Sequence, residues 1–159
     1  MARKLSDLIF NFTNNIIVIL CFGLVAVMFF SVFERYILNT PLIWANDMSI
    51  FIFIWMSFLG MSTAVKLKEH ITFDFISHIF SKKALWKISY FIKILSLIIT
   101  SICVIVGCQL FIQMLPRFYK SINLSLGWLY LALPVGFFIT FFHIISDLLY
   151  LHGTKNNEK

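Results

Sequence analysis

Two constellations in this sequence carry the residue types that move protons or hold metals. His143 and Asp147 stand four apart in F-F-H-I-I-S-D, on one helical face, where an imidazole and a carboxylate could relay protons. His70, Asp74 and His78 recur at i, i+4 and i+8, a spacing that offers three ligands to a divalent ion from one helix surface. Each has a plainer explanation. A polar pair often closes an apolar helix, and no second carboxylate leads onward from His143. The histidine–aspartate set is what the polar stripe of any surface helix produces, drifting about 40° with each step of four. Haem held between helices would need histidines on two apolar runs at matching depth, and only one run has a histidine. Cys21, Cys103 and Cys108 lie inside apolar runs and form no CxxC pair, so they read as small hydrophobes. GxSxG and phosphate-binding Gly-rich loops are missing. The chain is therefore expected to hold no catalytic, metal or substrate site of its own.

The elements that would position any site are membrane helices. Of 159 residues, 60% are hydrophobic and 13% charged, with a mean hydropathy of +0.92, against roughly 25% charged in a soluble domain. Such a chain cannot cover a water-facing surface, so the expectation is an all-α integral membrane protein forming a single membrane domain over 1–159. Four charge-free runs are each long enough to cross a ~30 Å hydrocarbon slab, giving spans near 10–34, 46–66, 90–115 and 124–147. The first run follows Arg3 and Lys4 as a signal peptide would, but it is too long and lacks a small-x-small cleavage site. The net charge of +6 orients the protein and implies no nucleic-acid partner. Ten of the 13 Lys and Arg residues fall on one side if both termini are cytoplasmic, which predicts that orientation.

Between spans two and three, Ile71, Phe75, Ile79, Ile76, Phe80 and Phe73 share one arc and His70, Asp74, Ser77 and His78 the opposite one. This predicts an amphipathic interfacial helix over 70–81, flat at the inner headgroup layer. Lys66, Lys68, Lys82, Lys83, Lys87 and Lys93 are the candidates for lipid headgroups, Lys93 by snorkelling. Tyr36, Trp44, Tyr119, Trp128 and Tyr130 read as outer interface anchors, whereas Trp55 falls mid-span and should pack against another helix. Ser57, Gly60 and Ala64 form a small-residue stripe that either packs within the chain or receives a second polypeptide. Gln109 and Gln113 form a polar stripe that wants an interhelical partner, and Pro134 with Gly136 predicts a kink.

The densest pattern is F-E-R-Y-I-L-N-T-P-L-I-W-A-N-D, then F-I-W-M-S-F-L-G-M-S-T-A-V-K and E-H-I-T-F-D-F-I. It resembles the small membrane subunit of tripartite ATP-independent periplasmic (TRAP) transporters. That family typically shows an Arg-aromatic pair leaving span one, a Trp before an acidic residue opening span two, a W-x-x-x-L-G core, a basic end and H-I-x-x-D. Here these are Arg35–Tyr36, Trp44, Asp47, Trp55 to Gly60, Lys66, and His70–Ile71 with Asp74. The later N-L-S-L-G-W-L-Y-L-A-L-P-V-G, with Leu133–Pro134, is similar to the family's opening of span four. The family more often has Glu after the Trp, where Asn46–Asp47 stand here.

The resemblance implies a non-enzymatic subunit of the bacterial inner membrane that scaffolds a large multi-span TRAP subunit. That large partner would carry the coupling sodium and the substrate, an organic acid of the C4-dicarboxylate or sialic acid class delivered by a periplasmic substrate-binding protein. The chain itself would need no cofactor and would otherwise meet only membrane lipids. Span centres without ionisable residues fit such a role, because ion coupling needs them. The alternative, a self-sufficient four-helix multidrug-type transporter, requires a carboxylate deep in span one, and Leu8–Phe33 has none. A quinone-linked disulfide oxidase would require exposed cysteine pairs.

Overall fold

In lipid every backbone amide must find its partner within the segment, so long apolar runs fold as helices. The computed structural model describes residues 2–38, 43–77 and 82–157, with side chains at 5–37, 43–67, 88 and 90–148. Helix α1 (Ala2–Phe33) ends in a π-helical turn, Glu34–Leu38. It is followed by α2 (Ile43–Ser77), α3 (Lys82–Met114), the single turn α4 (Gly127–Tyr130) and α5 (Ala132–Asn157). Four stretches are long and apolar enough to cross a membrane: Leu5–Ile37, Ile43–Leu67, Tyr90–Met114 and Gly127–Leu148.

Two boundaries differ from the sequence expectation. The second span closes at Leu67, close to the expected 66, but helix α2 itself runs on to Ser77, so residues 70–77 of the expected separate interfacial helix are continuous with the helix of span two. No Gly or Pro lies between 61 and 77 to end it. Residues 78–81 lie outside the described residues. The last span starts at Gly127 and not near 124, because the preceding segment folds back as a tight hairpin. There the Tyr119 N–H donates to the Leu124 carbonyl (2.9 Å) and the Leu126 N–H to the Arg117 carbonyl (2.7 Å). Asn123, at φ 45°, turns the chain, a left-handed conformation that Asn tolerates better than most residues. The helix is then interrupted at Leu131, three residues ahead of Pro134, near the expected kink.

The long helices stand in the order α1, α2, α5, α3: α2 packs on α1 and α5, and α5 on α3. Helix α1 also reaches α5, while α1 and α3 do not meet among the described residues. The packed seams are small or polar, as van der Waals association in lipid favours. Ser6, Thr13, Ser62, Thr63, Thr140 and His143 are buried beside Ala45, Leu59 and Ala132. Three of the hydroxyls are satisfied within their own helix: Ser62 donates to the Leu59 carbonyl (2.6 Å), Thr63 to Gly60 (2.9 Å) and Thr140 to Gly136 (2.9 Å). Close approach falls at three glycines, Gly107, Gly127 and Gly136. A Cβ on Gly136 would stand 2.8 Å from the Phe58 Cβ and carbonyl oxygen, and one on Gly107 would stand 3.0 Å from the Pro134 Cδ.

Candidate functional site

Where α1 begins, three helices are tied together through polar side chains. Ser6 Oγ and His143 Nδ1 share a hydrogen bond of 2.8 Å, and both residues are buried. Beside them the Lys66 ammonium pairs with Asp7 at 2.6 Å and lies 5.1 Å from the centre of the Phe10 ring, linking α2 to α1. His143 Nε2 and the Ser146 hydroxyl are buried without a hydrogen-bond partner among the described residues. The imidazole thus turns to α1 for its hydrogen bond and not to Asp147. This is the geometry of a clasp.

At the other end, Asp47 in the first turns of α2 accepts a hydrogen bond from the Ser121 hydroxyl of the hairpin. Burial, the Asp47 carboxylate and then Tyr130 push the Tyr119 phenol above its ordinary 10.0. The indole N–H of Trp55 donates to the carbonyl of Trp128 at 3.1 Å, so the mid-span tryptophan packs on another helix as expected. Trp55 and Asp47 together fix α2 to the hairpin and α4. Both could be singled out from sequence as polar groups needing a partner, whereas Ser121 carried no signal.

The remaining candidates separate into outward-facing and packed positions. Arg35, Ser57, Gln109 and Gln113 are exposed, and Trp44 is 40% exposed. Ala64 and Lys93 are half-buried, and Pro134 is buried in the first turn of α5, where its missing N–H costs nothing. Of the two readings left open for Gly60, close packing within the chain is not what the described residues show: a Cβ there would meet nothing within 4 Å, while α2 buries Leu59, Ser62 and Thr63. Gly107 and Gly136 take that role. Lys66, expected at a headgroup, is engaged by Asp7 because α1 and α2 bring these residues to one level. The side chains of Lys68, His70, Asp74, Lys82, Lys83 and Lys87 lie outside the described residues. Sequence reasoning missed Ser6 as the partner of His143, and it missed Asn11, Asn14 and Asn15, exposed amides inside the first span. Counting only ionisable groups at membrane depth passed over them.

Among the described residues the polar groups of this arrangement tie helices to one another. Comparison with known proteins gives the context. The family of tripartite ATP-independent periplasmic transporters, DctQ component, matches residues 24–152. The chain is 26% identical over 136 residues to the sialic acid TRAP transporter small permease protein SiaQ of Vibrio cholerae, covering 84% of this chain and 78% of that one. It is also 24% identical over 115 residues to the sialic acid TRAP transporter permease protein SiaT of Haemophilus influenzae. That match takes in 72% of this chain and 19% of the much longer SiaT. With more than half its length matched, this multi-pass bacterial membrane protein belongs to the family of DctQ components of TRAP transporters.

Proposed function

We propose that this chain is the small permease subunit that steadies a large TRAP permease during sodium-coupled uptake of an organic acid. The observation that carries this reading is the incompleteness of its packing. None of the most apolar stretch of the first span is buried, against 44% in the fourth, so the row of helices offers uncovered faces to another protein. Its own polar groups clasp its helices to one another, which supports a stiff slab rather than a moving carrier. The large permease holds the sodium and the substrate, and a periplasmic binding protein delivers it. The sialic acid named for both relatives supports that substrate class over C4-dicarboxylates. Both termini are cytoplasmic in the inner membrane, with residues 70–81 and their flanking lysines at the inner headgroups. His70 and Asp74 support that inner boundary, and Arg35, Trp44 and Asp47 the outer one.

The stripe Ser57, Gly60 and Ala64 receives a helix of the large permease. Gly60 tests this cleanly, because the space around it is open within the chain and a larger residue leaves the fold intact. Gly60→Leu is expected to reduce both co-purification of the large permease and sialic acid uptake in proteoliposomes. Unchanged values of both would contradict the docking of that stripe.

A further inference from the structure

The first span carries three exposed asparagines, of which Asn11 and Asn15 share a face and Asn14 stands at its edge, where lipid can offer their amides nothing. At about 100° per residue, Asn11 and Asn15 fall on one side of α1 with Phe22 and Phe29, opposite the side that holds the buried Ser6 and Thr13. Both asparagines are exposed and make no hydrogen bond among the described residues. Asp7, paired with Lys66, marks the charged level at this end of the span. With a rise of about 1.5 Å per residue, Asn11 lies roughly 6 Å and Asn15 roughly 12 Å beyond that level. An Asn side chain has one methylene and cannot reach back to water over such a distance. Gln109 and Gln113 on α3 differ: they lie within the last two turns before Met114, and their longer stems reach the interface. The exposed amides of α1 therefore call for a polypeptide with donors and acceptors at the same depth.

We propose that the Asn11/Asn15 face of α1 is where a transmembrane helix of the large permease docks, its polar groups closing hydrogen bonds with the two amides. This rests on the functional reading above. The choice of occupant follows from the Haemophilus relative, in which a segment like this chain makes up 19% of one long permease and is thus tethered to the rest of it. The apolar part of the same face, Phe22, Val25 and Phe29, gives that helix a continuous surface beyond the amides.

The test is co-expression with the large TRAP permease of the same organism, purification through a tag on this chain, and measurement of the retained permease. The Asn11→Leu/Asn15→Leu variant is expected to retain about fivefold less permease than the native chain, while Asn11→Gln/Asn15→Gln restores retention. Leucine on an outward face leaves the chain's own packing intact, so the purified variant alone should keep its helicity and unfolding midpoint. Full retention by the leucine variant overturns the proposal. So does loss confined to a Gln109→Leu/Gln113→Leu variant, or crosslinking of Asn15→Cys to a second copy of this chain in place of the permease. A native chain that retains no permease refutes the functional reading itself, an outcome distinct from failure of the asparagine face.

Discussion

Ser6 and His143, 137 residues apart, join α1 to α5 by a buried hydrogen bond of 2.8 Å. With the Lys66–Asp7 pair beside it, this bond makes a three-helix clasp at one end of the protein. Ser6→Ala strands the Nδ1 of a buried imidazole, so it is expected to lower unfolding stability in detergent by about 1–3 kcal/mol. Transport per folded complex should stay near native, since the bond joins two helices of this chain. A transport loss without destabilisation would contradict the structural role.

The two kinds of glycine should respond in opposite ways. Gly136→Ala drives a methyl to 2.8 Å from the Phe58 backbone, and thermal unfolding should show a loss of about 1–3 kcal/mol. Gly60→Ala meets open space and should leave the isolated chain's stability within about 0.5 kcal/mol, or slightly raise it through better helix propensity.

The Lys66–Asp7 bridge looks strong at 2.6 Å, yet the Asp7 side chain is 62% exposed. A double-mutant cycle with Lys66→Ala and Asp7→Ala is expected to give a coupling of about 1 kcal/mol or less, falling with added salt. Lys66→Ala should cost more than Asp7→Ala, because it also uncovers the Phe10 ring.

The hairpin should be sensitive to alkali. In the folded protein the Tyr119 phenol is raised above 10.0, first by burial and then by the Asp47 carboxylate. A raised folded pKa means that the folded state holds its proton longer. The stabilisation is therefore complete below pH 10.0 and is lost as pH rises through the folded value. Asp47→Asn removes one cause, so phenolate absorbance should then titrate closer to 10.0. No change in that titration would mean the carboxylate does not act on Tyr119.

How much of this was legible beforehand follows from the range of each interaction. Span composition is a local property, and the four apolar runs carry it whatever their neighbours do. Trp55 announced a helix contact because a mid-span indole must find an acceptor, and Trp128 supplies one. The identity of partners was not local. Ser6 meets His143 only because α1 reaches α5 within the row, which nothing near Ser6 encodes. Small residues permit close approach without compelling it, which is why Gly60 drew attention while Gly107 and Gly136 do the packing. The hairpin at 117–126 was hidden because its two polar turns sit between strongly apolar neighbours. Asn11 and Asn15 could have been found, since an uncharged amide at depth also wants a partner, though less firmly than a charge does.

On the proposed function, this chain contributes the scaffold and the large permease the transport. Sodium-driven sialic acid uptake should be measured in proteoliposomes holding this chain alone, the large permease alone, and both, with the loaded binding protein outside. Uptake is expected with both subunits, little with the large permease by itself, and none with this chain by itself. Sodium-dependent uptake by this chain alone would contradict it.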